Sequence, residues 1–217
     1  MGETEGRRDR RADRHAATKR EILDAAWRLS RERGLAGWAL RDVAEAVGMR
    51  APSLYGYFDS KFAVYDAMFA DGYAALLELA GHTDADLVKR GAAPVEVLRA
   101  AAGMFVDFCV EDRARLQLLF LRTIPGFEPS ASAYALAQQA FERMAAVMAT
   151  AGLRAPEHVD LWTALLTGLA TQQVSNDPGG DRWRRLVGPA VDMFVAAHLP
   201  PSPEREASLS PPPTIGV

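Results

Sequence analysis

A chain of 217 residues, 49% hydrophobic and 24% charged, suits one or two globular domains with a sizeable core. Its one cysteine, Cys109, excludes an internal disulfide framework and any multi-cysteine zinc site. The net charge of −3 conceals an asymmetry: residues 1–61 carry 13 Lys/Arg against 10 Asp/Glu, and residues 62–217 carry 12 against 18.

No apolar run approaches the roughly 18 residues a membrane span needs. The polar, arginine-rich start has no apolar h-region, which predicts a chain without a secretory signal and a cytoplasmic address.

Residues 1–15, MGETEGRRDRRADRH, include five arginines and almost nothing to bury. They are expected to be a disordered basic arm, which either touches phosphate or a minor groove or stays a solvated tail. From Thr18 to Arg33 the pattern is helical. Ile22, Ala26 and Leu29 form its inner stripe, Thr18 and Glu21 have capping-box spacing, and Gly34 is placed to stop it.

The stretch from Leu40 to Phe58 holds two short helical patterns. Leu40, Val43, Ala44 and Val47 make one apolar stripe. Gly48 lets the chain turn, and Pro52 suits the first turn of a second helix carrying Leu54 and Phe58 inward. Helices of about seven residues are too short to stand alone, so the Thr18 helix must brace them. Two short braced helices beside a basic excess are the build of a helix-turn-helix, whose second helix enters the DNA major groove.

Ser60 can cap a helix expected from Lys61 to about Ala80, with Phe62, Tyr65, Phe69, Tyr73 and Leu76 inward. Lys61 in a first turn opposes the helix dipole, which suggests an external anion such as a DNA phosphate. Gly81 to Ala93 reads as a connection. Pro94 opens a strongly amphipathic helix through Val95, Leu98, Ala102, Phe105 and Cys109, and Arg113 to Thr123 continues as a leucine-rich helix that Pro125-Gly126 breaks.

A further helix from Ser130 or Ser132 carries Tyr134, Ala137, Phe141, Met144 and Met148, and Pro156 begins the next, to about Ser175. Asn176 to Asp181, NDPGGD, is a turn. A last helix spans Arg182 to His198, and the proline- and serine-rich residues 200–217 read as a disordered tail. No strand pattern or solenoid repeat competes. The fold class is all-α with about nine helices.

Catalytic constellations are not visible. His15, His82, His158 and His198 fall in no HExxH spacing, no GxGxxG or GxxxxGK[ST] loop occurs, and Cys109 lies on an apolar stripe. The chain reads as no enzyme, with no metal site and no cofactor.

The run from Thr18 to Ala67, TKREILDAAWRLSRERGLAGWALRDVAEAVGMRAPSLYGYFDSKFAVYDA, resembles the N-terminal domain of the TetR/AcrR family of bacterial regulators. The ILDAA opening, Arg33-Gly34, Asp42-Val43-Ala44, Val47-Gly48, Leu54-Tyr55, Phe58 and Ser60-Lys61 carry the likeness together. Three features depart from it, one being Gly56, where a larger polar residue is frequent. Ala39 stands where Ser or Thr often starts the first reader helix, and Arg50-Ala51-Pro52 replaces a Ser-Lys-Gly type of opening.

The resemblance implies residues 16–61 as the DNA-binding domain and 62–199 as the ligand-binding and dimerisation domain. It implies a homodimer on a pseudo-palindromic double-stranded DNA operator, repressing until a small-molecule effector releases it. Arg41, Arg50, Tyr55, Tyr57 and Lys61 would bond phosphates, and Ala51, Pro52 and Ser53 would meet base edges.

The two C-terminal helices would pair across the dimer through Trp162, Leu165, Leu169, Trp183, Leu186, Ala190 and Phe194. Met104, Phe105, Phe108, Phe120, Phe127, Phe141, Met144 and Trp162 are candidate liners of an effector pocket, or plain core. Their character suggests an apolar or aromatic ligand. The alternative is a helix-turn-helix protein that acts through protein contacts with only non-specific DNA affinity.

Overall fold

The computed structural model describes the backbone of residues 2–199, and the side chains of residues 12–199 apart from Val88. The Pro/Ser-rich tail lies outside the described residues. Within them all repeating structure is helical: α1 (Gly2–Arg33), α2 (Leu40–Ala46), α3 (Ala51–Leu54), α4 (Lys61–Lys89), α5 (Pro94–Glu111), α6 (Arg113–Phe120), α7 (Ala131–Thr150), α8 (Pro156–Asn176), a single 3-10 turn (Arg184–Leu186) and α9 (Val187–His198).

Several boundaries differ from the sequence reading. Helix α1 begins at Gly2 rather than Thr18, so the stretch expected as an arm is helical. Its Arg, Asp, Glu and Ala residues lack the Pro that would stop a helix. Helix α4 runs through Gly81 to Lys89, because Leu87 is buried there and Gly91, at φ 63°, supplies the C-terminal turn. The last helix starts only at Val187, behind the 3-10 turn.

The chain divides into two compact units, residues 1–82 with 107–142, and residues 83–106 with 143–217. In the first, α1 contributes Ile22, Ala26 and Leu29 to a core completed by Val43 and Ala44 of α2, Leu54 of α3, and Val64, Tyr65 and Met68 of α4, all buried. Gly72 permits the close approach of α4 to α6, since a Cβ there would lie 2.9 Å from a Leu119 methyl carbon. In the second unit Leu98, Val106, Met148, Trp162, Leu166, Val191 and Phe194 are buried.

Candidate nucleic-acid interface

Helix α2 starts without a side-chain cap of its own, because Ala39 has no acceptor. Asp42 supplies half of a capping box instead: its Oδ2 accepts the Ala39 amide at 2.7 Å. Gly48 takes φ 68°, and the turn closes with Gly48 N–H to Glu45 O at 3.0 Å and Met49 N–H to Ala44 O at 2.8 Å. Arg50, extended at ψ 139°, then leads into α3 with Pro52 in its first turn.

Helix α3 is one turn shorter than its apolar spacing predicts. Its last turn loosens, with Tyr57 and Phe58 amides both donating to Leu54 O at 2.9 and 3.0 Å. Leu54 is fully buried and anchors it. Arg41 of α2 and Arg50, Pro52, Ser53 and Tyr55 around α3 are exposed, Tyr55 to 55%, while Ala51 and Tyr57 are half-buried.

The stretch between α1 and α2 is held by a polar chain. Ser30 Oγ donates to Ala26 O at 2.7 Å and accepts Trp38 Nε1–H at 2.8 Å, and the Tyr65 hydroxyl donates to Leu35 O. Lys61 belongs to this chain. Its ammonium donates to Trp38 O at 2.6 Å and Ala36 O at 3.3 Å, and lies 4.3 Å over the Trp38 ring. Burial pushes its pKa down.

So Lys61, expected at a phosphate, has its donors directed to carbonyls of the turn before α2. A first-turn lysine has no helix carbonyl to cap, and the open carbonyls of residues 36 and 38 take that place.

Two ring contacts were not legible in the residue pattern. His15 stacks on Tyr57 with ring centroids 4.7 Å apart, and Lys19 Nζ lies 5.4 Å over the Phe58 ring, so α1 grips the end of the reader turn. Farther along α1, a polar cleft of about 570 Å³ is lined by Arg20, Asp24, Trp27, Arg31, Asp71 and Arg115 among others. Arg20 bridges Asp24 and Asp71, which raise its pKa, Asp24 most, and Trp27 Nε1–H donates to Asp71 at 2.8 Å.

The model of the bacterial regulatory proteins of the tetR family matches residues 22–68, the span just described. Residues 22–68 are thus similar to the segment that defines the tetR family. Over 46 residues the chain is 48% identical to the HTH-type transcriptional repressor KstR2 of Rhodococcus jostii (strain RHA1), 21% of this chain and 22% of that protein. It thus spans about a fifth of the length of the curated relative it matches.

Solved structures are similar over far more of the chain. A protein of unknown function from Rhodococcus sp. RHA1 aligns with TM-score 0.70 at 19% identity, covering 83% of this chain and 94% of that one. The TetR-family transcriptional repressor FadR of Thermus thermophilus, in complex with lauroyl-CoA, aligns with TM-score 0.60 at 20% identity, covering 85% and 98%. At these identities the likeness shows the fold.

The candidate pocket residues fall in both units. In the first, Phe127 packs against Phe62, Tyr65 and Phe69, and Phe120 lies 5.7 Å from the Tyr73 ring. Phe108 is buried beneath the Arg115 guanidinium at 4.1 Å, and Phe141 is 41% exposed. In the second, Met104, Phe105 and Met144 are half-buried and Trp162 is buried.

The proposed dimer residues also sort by depth. Trp162, Ala190 and Phe194 point inward, Trp162 and Phe194 sealing α8 to α9 at 5.3 Å between rings; Leu165, Leu169 and Trp183 are half-buried; Leu186 is exposed. Leu161 and Met193 are exposed as well, at 49% and 62%. Stripe periodicity marks which residues share a face, not which of two apolar faces a helix turns to its own core.

Gln173 is fully buried. Its Oε1 accepts the Trp183 and Arg184 amides at 2.8 and 3.1 Å, and its Nε2 donates to Asp177 O, which ties down the turn. Among the described residues no group of three or more His, Cys, Asp or Glu could hold a metal ion, and no helix is long and apolar enough to cross a membrane.

Proposed function

We propose that this protein is a sequence-specific DNA-binding transcriptional repressor that acts as a homodimer in the cytoplasm, with residues 16–61 reading a pseudo-palindromic operator. One observation carries the reading: Arg50, Pro52, Ser53 and Tyr55 stand exposed around a reader turn whose opposite side, Leu54, is fully buried. Such a turn is rigid on the protein side and open on the other, as groove insertion requires. Arg41, Arg50, Tyr55 and Tyr57 bond phosphates; Ala51, Pro52 and Ser53 meet base edges.

Residues 62–199 carry the effector site and the dimer face. The family model's match to residues 22–68 and the fold shared with a repressor solved with lauroyl-CoA support this division. The effector is a small apolar or aromatic ligand, taken up beside side chains such as Phe120 and Phe127. It releases the operator through its differential affinity for two spacings of the reader helices.

A gel shift on DNA flanking the protein's own gene, at physiological salt with excess competitor, tests the reading. A competitor-resistant shift with half-sites about 34–36 Å apart is expected. Loss of the shift to competitor, followed by no enriched sequence from random duplexes, would leave only the non-specific reading. Thermal-shift screening tests the effector: stabilisation by lauroyl-CoA or aromatic ligands is expected, and stabilisation only by small charged metabolites would overturn it.

A further inference from the structure

The polar cleft along α1 has two poles of unlike chemistry. Its walls come from α1, α4 and α6, all in the first unit, and its volume of about 570 Å³ falls in the range of small-molecule sites. At one pole the charges satisfy each other. Arg20 gives Nε and Nη2 to Asp24 and Nη1 to Asp71, and the second Asp71 oxygen takes the Trp27 indole N–H at 2.8 Å.

At the other pole donors are left over. Arg31 uses only Nε, on Asp112 at 2.7 Å. Arg115 uses only Nη1, on Phe108 O at 3.1 Å, with its guanidinium 4.1 Å over the Phe108 ring. Asp112 brings the two together: one of its oxygens accepts Arg31 and the other accepts the Arg115 amide at 3.1 Å. No described residue accepts from Nη1 and Nη2 of Arg31 or from Nε and Nη2 of Arg115. Glu78, exposed on α4 about two turns beyond Asp71, likewise has no described partner. Ala74 and Ala75 of α4 contribute only methyl groups to the wall, which leaves the cleft open.

We propose that this cleft binds a small zwitterion of the free amino acid or dipeptide class, its carboxylate held by Arg31 and Arg115 and its ammonium by Glu78. Three arginines and three carboxylates line the cleft. A pure anion would meet the carboxylates and a pure cation the arginines, whereas a molecule with both signs and no net charge matches the lining. Guanidinium forks suit a carboxylate in particular. The cleft shares no residue with the site proposed for an apolar effector. A zwitterion seated in it bridges α1, which braces the reader turn, to α4 and α6, and so stabilises the unit that holds it.

Thermal unfolding of the full chain tests this. The probes are the free L-amino acids and glycylglycine, with succinate, inorganic phosphate and putrescine as single-sign controls. At least one zwitterionic probe is expected to raise the melting temperature by about 3 °C or more at about ten times its Kd. The controls should shift it no more than sodium chloride of equal ionic strength. Two variants at exposed positions locate the binding. Glu78→Gln removes the carboxylate and should weaken the probe about tenfold in calorimetric titration. Ala75→Phe fills the cleft and should abolish the response.

Stabilisation by the single-sign controls alone, no stabilisation by any zwitterionic probe, or equal probe affinity in the parent and both variants would each overturn the proposal. None of these outcomes touches the regulator reading, which the operator gel shift decides.

Discussion

Lys61 shows how the fold can give a side chain a structural role beside the one expected of it from sequence. As a phosphate ligand it would add to the salt dependence of DNA binding. As donor to Trp38 O and Ala36 O it instead sets the turn that presents α2. Lys61→Ala is therefore expected to lower thermal stability and operator affinity together, with the salt slope unchanged; a slope shallower by about one would restore the phosphate role. Burial acts on two neutral acids of the same unit, pushing the Tyr65 phenol and the Cys109 thiol each up to about 12. Both are raised above their ordinary values of 10.0 and 9.0, so the folded state holds these protons more tightly than the unfolded chain. Their contribution is full below pH 9 and is lost as pH climbs through 12. The urea midpoint should fall across that window, less steeply in Tyr65→Phe, and native Cys109 should resist thiol reagents until the chain unfolds. A midpoint flat to pH 12 would contradict this.

At the scale of elements, two aspartates secure helix starts, one from the third position of its helix and one from the cap position itself. Asp42 serves the start of α2, and Asp112, only 4% exposed, caps α6 by accepting the Ala114 and Arg115 amides at 2.9 and 3.1 Å while Arg31 Nε–H donates to it at 2.7 Å. Asp112→Ala should cost about 1–2 kcal/mol by chemical denaturation. Arg31→Ala should cost less, because the carboxylate keeps both amides and Arg31 is half exposed; the reverse order would mean that the ion pair dominates. Gly37 is a sharper case: a Cβ there would fall on the Arg33 carbonyl oxygen, backbone that cannot swing aside. Gly37→Ala should disturb the turn before α2 and reduce DNA binding more than Gly81→Ala, where a Cβ meets open space. The α2-turn-α3 unit was legible because every signal agreed there, the apolar stripe, the glycine turn and Pro52 together. Gly81 misled because one glycine within a helix costs about 1 kcal/mol, which the burial of Leu87 offsets. The 3-10 entry to α9 was illegible because it depends on Gln173, ten residues from Trp183 in sequence.

At the scale of the whole molecule, the question is which face joins two copies. Helices α8 and α9 each carry two apolar sides. Trp162, Leu166, Val191 and Phe194 are consumed within the unit, whereas Leu161 on α8, Leu186 just before α9 and Met193 on α9 remain exposed. On α8 the exposed positions Leu161, Ala164, Gly168, Gln172 and Ser175 recur at steps of three and four, and small residues among them allow close helix approach. An exposed apolar surface on a chain expected to pair is where pairing removes most area from water. The double substitution L161R/M193R should therefore convert dimer to monomer in sedimentation while the helical signal and melting cooperativity persist. Operator affinity should then fall steeply with dilution, since each half-site must be bound alone. Trp162→Ala should behave differently: it opens a cavity under Phe194, with a cost of about 3–5 kcal/mol in stability, and affects the dimer only through folding. A dimer that survives L161R/M193R would place the joining face on another element, and with it the lever through which an effector sets the spacing of the reader helices.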